Sequence, residues 1–87
     1  MKEFKYTITD PEGIHARPAG ELVKICKAYS CNITIAKGDK KMDCKKIFGV
    51  MSLGVKKDME ITLTFDGEDE DAAFLQRGEL IRTVFTP

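Results

Sequence analysis

The sequence predicts an α+β fold, an open-faced β-sandwich in which a four-stranded antiparallel sheet carries three helices on one face in the order β-α-β-β-α-β-α. Two runs, Phe4-Tyr6-Ile8 and Met59-Ile61-Leu63-Phe65, alternate apolar with polar residues at period two, the pattern of strands with one covered face. Two other stretches, after Pro18 and after Asp71, space their apolar residues at helical period. A sheet with one polar face needs helices over the other. A chain of 87 residues has material for one modest core, so residues 1–87 are expected to form a single domain.

The first strand is predicted over residues 2–9 and is broken by Asp10, Pro11 and Gly13. Pro18 suits the first turn of a helix, where its missing N–H removes nothing, and Leu22, Val23, Ile25 and Cys26 follow at helical spacing, so the first helix is placed at about residues 16–28. Asn32 to Ala36 is a β-branched alternating run, Gly38-Asp39 is turn chemistry, and Lys40 to Asp43 returns as a short polar strand, together a hairpin at the sheet edge. Lys46 to Leu53 is apolar, short and glycine-bearing, and is read as a short second helix. The Met59 run is the clearest strand and should pair centrally. The third helix opens on the acids Glu68 to Asp71, favourable at a helix N-terminus, and continues through Ala72, Ala73, Leu75, Leu80, Ile81 and Val84, with a weak point at Gly78 worth about 1 kcal/mol.

The composition, 43% hydrophobic and 32% charged, is that of a soluble globular domain. No apolar stretch approaches the roughly 18 residues of a membrane span, and the alternating N-terminal residues do not form a signal core. A cytoplasmic protein without direct membrane insertion is expected. Cys26, Cys31 and Cys44 are odd in number and lack paired metal-ligand spacing, so they are read as buried free thiols, with neither disulfide framework nor zinc site. The formal net charge is zero but unevenly spread: residues 1–57 hold twelve Lys/Arg against six Asp/Glu, and residues 58–87 hold two against eight. A basic surface steers acidic partners. Against nucleic-acid binding, a simply solvated mixed surface is the preferred reading.

His15 is the only histidine, at the junction of a glycine-containing loop and the first helix, in Gly13-Ile14-His15-Ala16-Arg17-Pro18-Ala19. A neutral imidazole nitrogen is a nucleophile available at physiological pH. A phosphoryl group on it would lie at a helix N-terminus, where the unpaired amides of Ala16 and Arg17 and the positive dipole end attract anions. The Arg17 guanidinium adds a bidentate donor for phosphoryl oxygens, and Pro18 fixes the backbone of the turn. A lone histidine and a surface arginine would elsewhere be read as a cap and a solvated charge. Here the constellation outweighs that simpler reading.

The same run resembles the active-site motif of the HPr family, the histidine-containing phosphocarriers of the bacterial phosphoenolpyruvate-dependent sugar phosphotransferase system. Ile47-Phe48-Gly49-Val50-Met51-Ser52-Leu53-Gly54-Val55 resembles the family's second motif at the expected separation, and Gly67-Glu68-Asp69-Glu70 its lead into the last helix. The resemblance covers essentially the whole chain. It implies that His15 accepts a phosphoryl group on Nδ1 from enzyme I, which phosphoenolpyruvate charges, and passes it to sugar-specific enzyme IIA proteins. The chain would then be a monomeric carrier, not an enzyme, with no cofactor and no metal of its own, magnesium belonging to enzyme I.

The family's docking surface further implies that Phe48 and Met51 lie exposed beside His15, with Ile47 in the same apolar cluster and Lys24, Lys27, Lys45 and Lys46 around it. Lys46 stands where many family members carry a regulatory serine. A lysine accepts no phosphoryl ester from the HPr kinase, which leaves a regulatory paralogue, acting on a kinase or transcription regulator, as the alternative function.

Overall fold

The computed structural model describes residues 1–85, the side chains of Ile81 and Phe85 excepted. Strands β1 (Lys2–Thr7), β2 (Asn32–Lys37), β3 (Lys40–Asp43) and β4 (Glu60–Asp66) form one antiparallel sheet in the order β1-β4-β2-β3. The alternating Met59 run is therefore central, as its pattern predicts, and the β2–β3 hairpin lies at the edge.

Register follows from the alternation, because a slip of one residue would turn every apolar side chain to the wrong face. Phe4 and Ile35 both oppose Leu63, Tyr6 opposes Ile61 and Ile33 opposes Phe65. These side chains share one face with helices α1 (Ala16–Cys26), α2 (Ile47–Ser52), α3 (Glu70–Leu75) and α4 (Arg77–Leu80). Leu22, Val23 and Cys26 of α1, Val50 of α2, Ala73 of α3 and Leu80 of α4 join the sheet residues in one buried cluster. The opposite face carries Glu3, Lys5, Thr34, Thr62 and Thr64.

The third predicted helix differs from expectation. It is broken after Leu75, resumes as the single turn of α4 and ends in a π-helical turn over Ile81–Phe85. The sequence reading put the weak point at Gly78, whereas α3 already ends at Leu75, with Gln76 as its C-cap. Arg77 accounts for the tolerance of the break: its Nη1 donates to the freed Phe74 carbonyl at 3.0 Å and its guanidinium lies 4.0 Å from the centre of the Phe74 ring. The apolar stripe of α3 also differs from the expected one. Leu75 is exposed and Ala72 faces water, while Phe74 packs edge-on against Phe4 and Phe65. Val84 is buried; the Ile81 side chain lies outside the described residues.

The acids before α3 do more than complement its dipole. Asp69 reaches across to the loop after α1, accepting the Ser30 and Cys31 amides at 2.7 Å each. Gly67, at φ 152°, makes that approach possible, since a Cβ there would come within 2.7 Å of the Cys31 Cα. The Asp69 carboxyl is held below its ordinary value chiefly by the Ser30 amide, with the Cys31 thiol and amide adding to it. A depressed carboxyl stabilises the fold above its unfolded value near 3.8 and loses that contribution as pH falls through the folded value. The urea midpoint should therefore decline on acidification below about pH 5, and Asp69→Asn should decline less steeply there. Parallel slopes for the two proteins would refute the assignment.

Cys26, Cys31 and Cys44 are free and buried. Burial, followed by the hydrogen bond to Asp69, pushes the Cys31 thiol up to about 11. The Cys44 thiol is raised by its hydrogen bond to Cys26 and by burial. Thiols held in this way are protonated and unreactive at neutral pH.

Candidate functional site

The loop between β1 and α1 is pinned from both sides before it delivers His15. Ile8 exchanges hydrogen bonds with the 58–59 segment, donating to the Met59 carbonyl at 2.9 Å and accepting the Asp58 amide at 2.8 Å, and Ile14 donates to the Val55 carbonyl at 3.0 Å. Gly13, at φ 68°, lies so close to that segment that a Cβ would sit 2.2 Å from the Val55 carbonyl oxygen. The chain can pass there only as glycine.

His15 is the N-cap residue of α1, with extended backbone and no hydrogen bond from its side chain to the helix it begins. The first-turn amides of Ala16 and Arg17 thus keep the unpaired character of every helix start. The imidazole is 33% exposed. Pro18 is fully buried with Ala19 and locks this turn against the core.

Two carboxylates flank the ring. Asp10 Oδ2 is 3.6 Å and Glu12 Oε2 3.4 Å from His15 Nε2. The Asp10 side chain is only 8% exposed. Its Oδ1 accepts the Glu12 amide at 2.9 Å, and its carbonyl accepts the Gly13 amide at 2.9 Å, so a tight turn fixes the carboxylate. The Arg17 guanidinium pairs with Glu21 at 3.1 Å and lies 3.9 Å from Asp10 Oδ2. The sequence reading treated this loop only as the end of a strand and missed both acids. The available signal was a turn bearing an aspartate at its first position and a histidine two residues beyond its glycine.

Asp10, Glu12 and His15 each offer one ligand atom within 4.8 Å of the others. They could hold a divalent cation, although Arg17 already brings positive charge to Asp10.

The apolar motif splits between core and surface. Val50 and Leu53 are buried, Ile47 is half-buried, and Phe48 and Met51 are 84% and 40% exposed. Ile47 and Phe48 line a shallow depression of about 610 Å³ with Lys27 and Lys46. Lys24 instead lines a separate groove with Glu21, Ile25 and Thr83. Lys45 is tethered, its Nζ donating to the Tyr29 carbonyl at 2.7 Å. Lys46 is the N-cap of α2 and forms no side-chain cap bond. Among the described residues no helix is long and apolar enough to cross a membrane.

Comparison with known proteins agrees with this arrangement. Residues 2–83 match the family model described as the PTS HPr component phosphorylation site. The phosphocarrier protein HPr of Lysinibacillus sphaericus is 41% identical over 86 residues, which cover 99% of this chain and 93% of that one. The structure of a mycoplasma histidine-containing phosphocarrier protein superimposes with a TM-score of 0.90 at 39% identity, over 97% of each chain. Crh of Bacillus subtilis, a catabolite repression protein solved as a swapped dimer, matches with a TM-score of 0.73 at 30% identity over the full length of both chains. A pinned loop that presents one accessible histidine at a helix start, on this sheet and with these relatives, makes the chain a member of the HPr family of phosphocarrier proteins of the phosphotransferase system.

Proposed function

We propose that His15 accepts a phosphoryl group from phosphoenolpyruvate-charged enzyme I and transfers it to sugar-specific enzyme IIA. The observation that carries this reading is an accessible imidazole at the N-terminus of α1 that makes no hydrogen bond to that helix. The amides of Ala16 and Arg17 are then available to the phosphoryl oxygens, which gain both hydrogen bonds and the positive end of the helix.

Arg17 supplies the side-chain charge. Its pair with Glu21 is solvent-exposed, and exposed pairs of this type are worth only about 0–1 kcal/mol, so the guanidinium is released to a dianionic phosphoryl group at small cost. Pro18 holds the turn in place. Catalysis in such a transfer consists of in-line positioning and electrostatic stabilisation, and the chain turns over no substrate of its own.

The partner surface in this reading is Phe48 and Met51 with Ile47, bordered by Lys27 and Lys46, with Lys24 adding charge from the separate groove along α1. An exposed aromatic residue is a typical interface anchor, and the lysines accelerate encounter with acidic partner surfaces. The carrier acts as a cytoplasmic monomer.

The test is intact-mass analysis after incubation with phosphoenolpyruvate, magnesium and active enzyme I. The expected result is an acid-labile gain of one phosphoryl group, discharged on adding enzyme IIA. No gain with a demonstrably active enzyme I would sink the proposal. Gain without discharge would favour a regulatory paralogue, a reading that Lys46 at the position of the family's regulatory serine and the likeness to Crh keep in play.

A further inference from the structure

His15 has two ring nitrogens, and the loop treats them differently. Nε2 faces Asp10 Oδ2 at 3.6 Å and Glu12 Oε2 at 3.4 Å. An ionised carboxylate only accepts hydrogen bonds, so a neutral ring held against two of them is favoured when its proton sits on Nε2. The lone pair then belongs to Nδ1. No hydrogen bond from the cap side chain to the helix competes for the ring.

We propose that Asp10 and Glu12 are positioning residues for His15: their carboxylates hold the imidazole as the Nε2–H tautomer and leave Nδ1 as the nucleophile. The inference deepens the phosphocarrier reading and rests on it. In the transfer step, the Nδ1 lone pair forms the N–P bond while the bond from phosphorus to the donor breaks, its electron pair leaving with the donor. Nε2 keeps its proton, so the ring becomes cationic as it takes the phosphoryl group. The two carboxylates lie beside the nitrogen that carries this charge, and the group being transferred lies at the other nitrogen.

The two acids contribute unequally. Asp10 is nearly buried and is fixed by the Glu12 amide on Oδ1, so its Oδ2 has one direction in which to point. Glu12 is 74% exposed, and water screens its charge. Arg17 Nη2 also approaches Asp10 Oδ2, at 3.9 Å, and the imidazole Nε2, at 3.6 Å, is the nearer group on that oxygen.

Isosteric amides give a test with a definite direction. In Asp10→Asn the amide oxygen can still accept from the Glu12 N–H, which turns the NH₂ group towards His15. A donor facing Nε2 pairs with its unprotonated form and drives the ring proton to Nδ1. The tautomer is read from long-range proton–nitrogen correlations of the ¹⁵N-labelled protein at alkaline pH. The native ring should be almost wholly Nε2–H, and the Asp10→Asn/Glu12→Gln double variant should show a substantial Nδ1–H population. With enzyme I as donor, kcat should fall at least about tenfold with KM little changed, since a wrong tautomer disables the nucleophile without touching the docking surface. Glu12→Asp, which retains a carboxylate one methylene further from the ring, should fall between the native chain and Glu12→Gln in both readings.

Glu12→Gln alone, at an exposed position, covers the case in which the double variant fails to fold, and should show a smaller change of the same sign in both readings. A native ring divided between tautomers, or folded variants with unchanged tautomer and kcat, would overturn the proposal. Because the nitrogen spectra need no phosphoryl donor, these outcomes are distinct from a native protein that takes up no phosphoryl group, which instead defeats the carrier reading.

Discussion

Phe65→Ala should remove about 3–5 kcal/mol of folding free energy, the range for truncating a fully buried aromatic residue. Phe65 is 1% exposed. Its ring stacks on Phe4 with centroids 6.0 Å apart and 9° between planes, and meets Phe74 edge-on at 5.8 Å. It ties β1, β4 and the broken C-terminal helix together at one end of the sheet. Neither neighbour can fill the space alone, since Phe4 is on the edge strand and Phe74 is held by Arg77. Small domains have only about 5–15 kcal/mol in total, so the variant should unfold at a much lower urea concentration, with a melting temperature lower by more than about 12 °C. Phe48→Ala is the matched control. Phe48 is the same residue type at 84% exposure, and a surface change of this kind is worth within about 0.5 kcal/mol. Equal losses in the two variants would contradict the division of the phenylalanines between core and surface.

That division shows what a sequence makes legible. The alternation around Leu63 dictates a strand, its face and its central place, because the period of side chains in a strand is two and only one register buries them all. The resemblance that singles out His15 and Phe48 comes from contiguous motifs, in which the residues that must act together are also neighbours in the chain. Legibility ends where the deciding contact is remote in sequence. The hydrogen bonds from Ser30 and Cys31 to Asp69 span 39 and 38 residues, so the acids before α3 look like simple dipole partners until the fold brings the α1 loop to them. The break after Leu75 depends on one arginine capping a carbonyl and stacking on Phe74, and the helical period from Ala72 to Val84 contains no trace of it. Asp10 and Glu12 were hidden for a different reason. They are near His15 in the chain, but a turn-forming Asp-Pro-Glu-Gly segment reads as punctuation, and only the turn's geometry aims both carboxylates at one nitrogen.

His15→Ala should abolish the phosphoryl gain while leaving the fold intact, and the combination is what makes the result informative. Loss of function alone would follow from any unfolding substitution. The His15 side chain, however, is one-third exposed and supplies no hydrogen bond to the helix that it caps, so its removal forfeits none of the stabilisation that a bonded cap provides, about 0.5–2 kcal/mol. The backbone that matters is held elsewhere, by the Ile14–Val55 bond, by the Asp10 turn and by Pro18 and Ala19 in the core. Nor are the two acids stranded, because Arg17 remains beside Asp10 and Glu12 is open to water. Native-like amide spectra and a urea midpoint close to that of the unaltered chain should therefore accompany complete loss of the acid-labile phosphoryl group. No other histidine exists in the chain to replace it. The buried thiols are no substitute: the Cys31 and Cys44 thiols are pushed above their ordinary values and all three cysteines are shielded from a protein donor. Phosphoryl uptake that persists in the alanine variant would move the reactive group off the imidazole, and with it the reason for the flanking carboxylates.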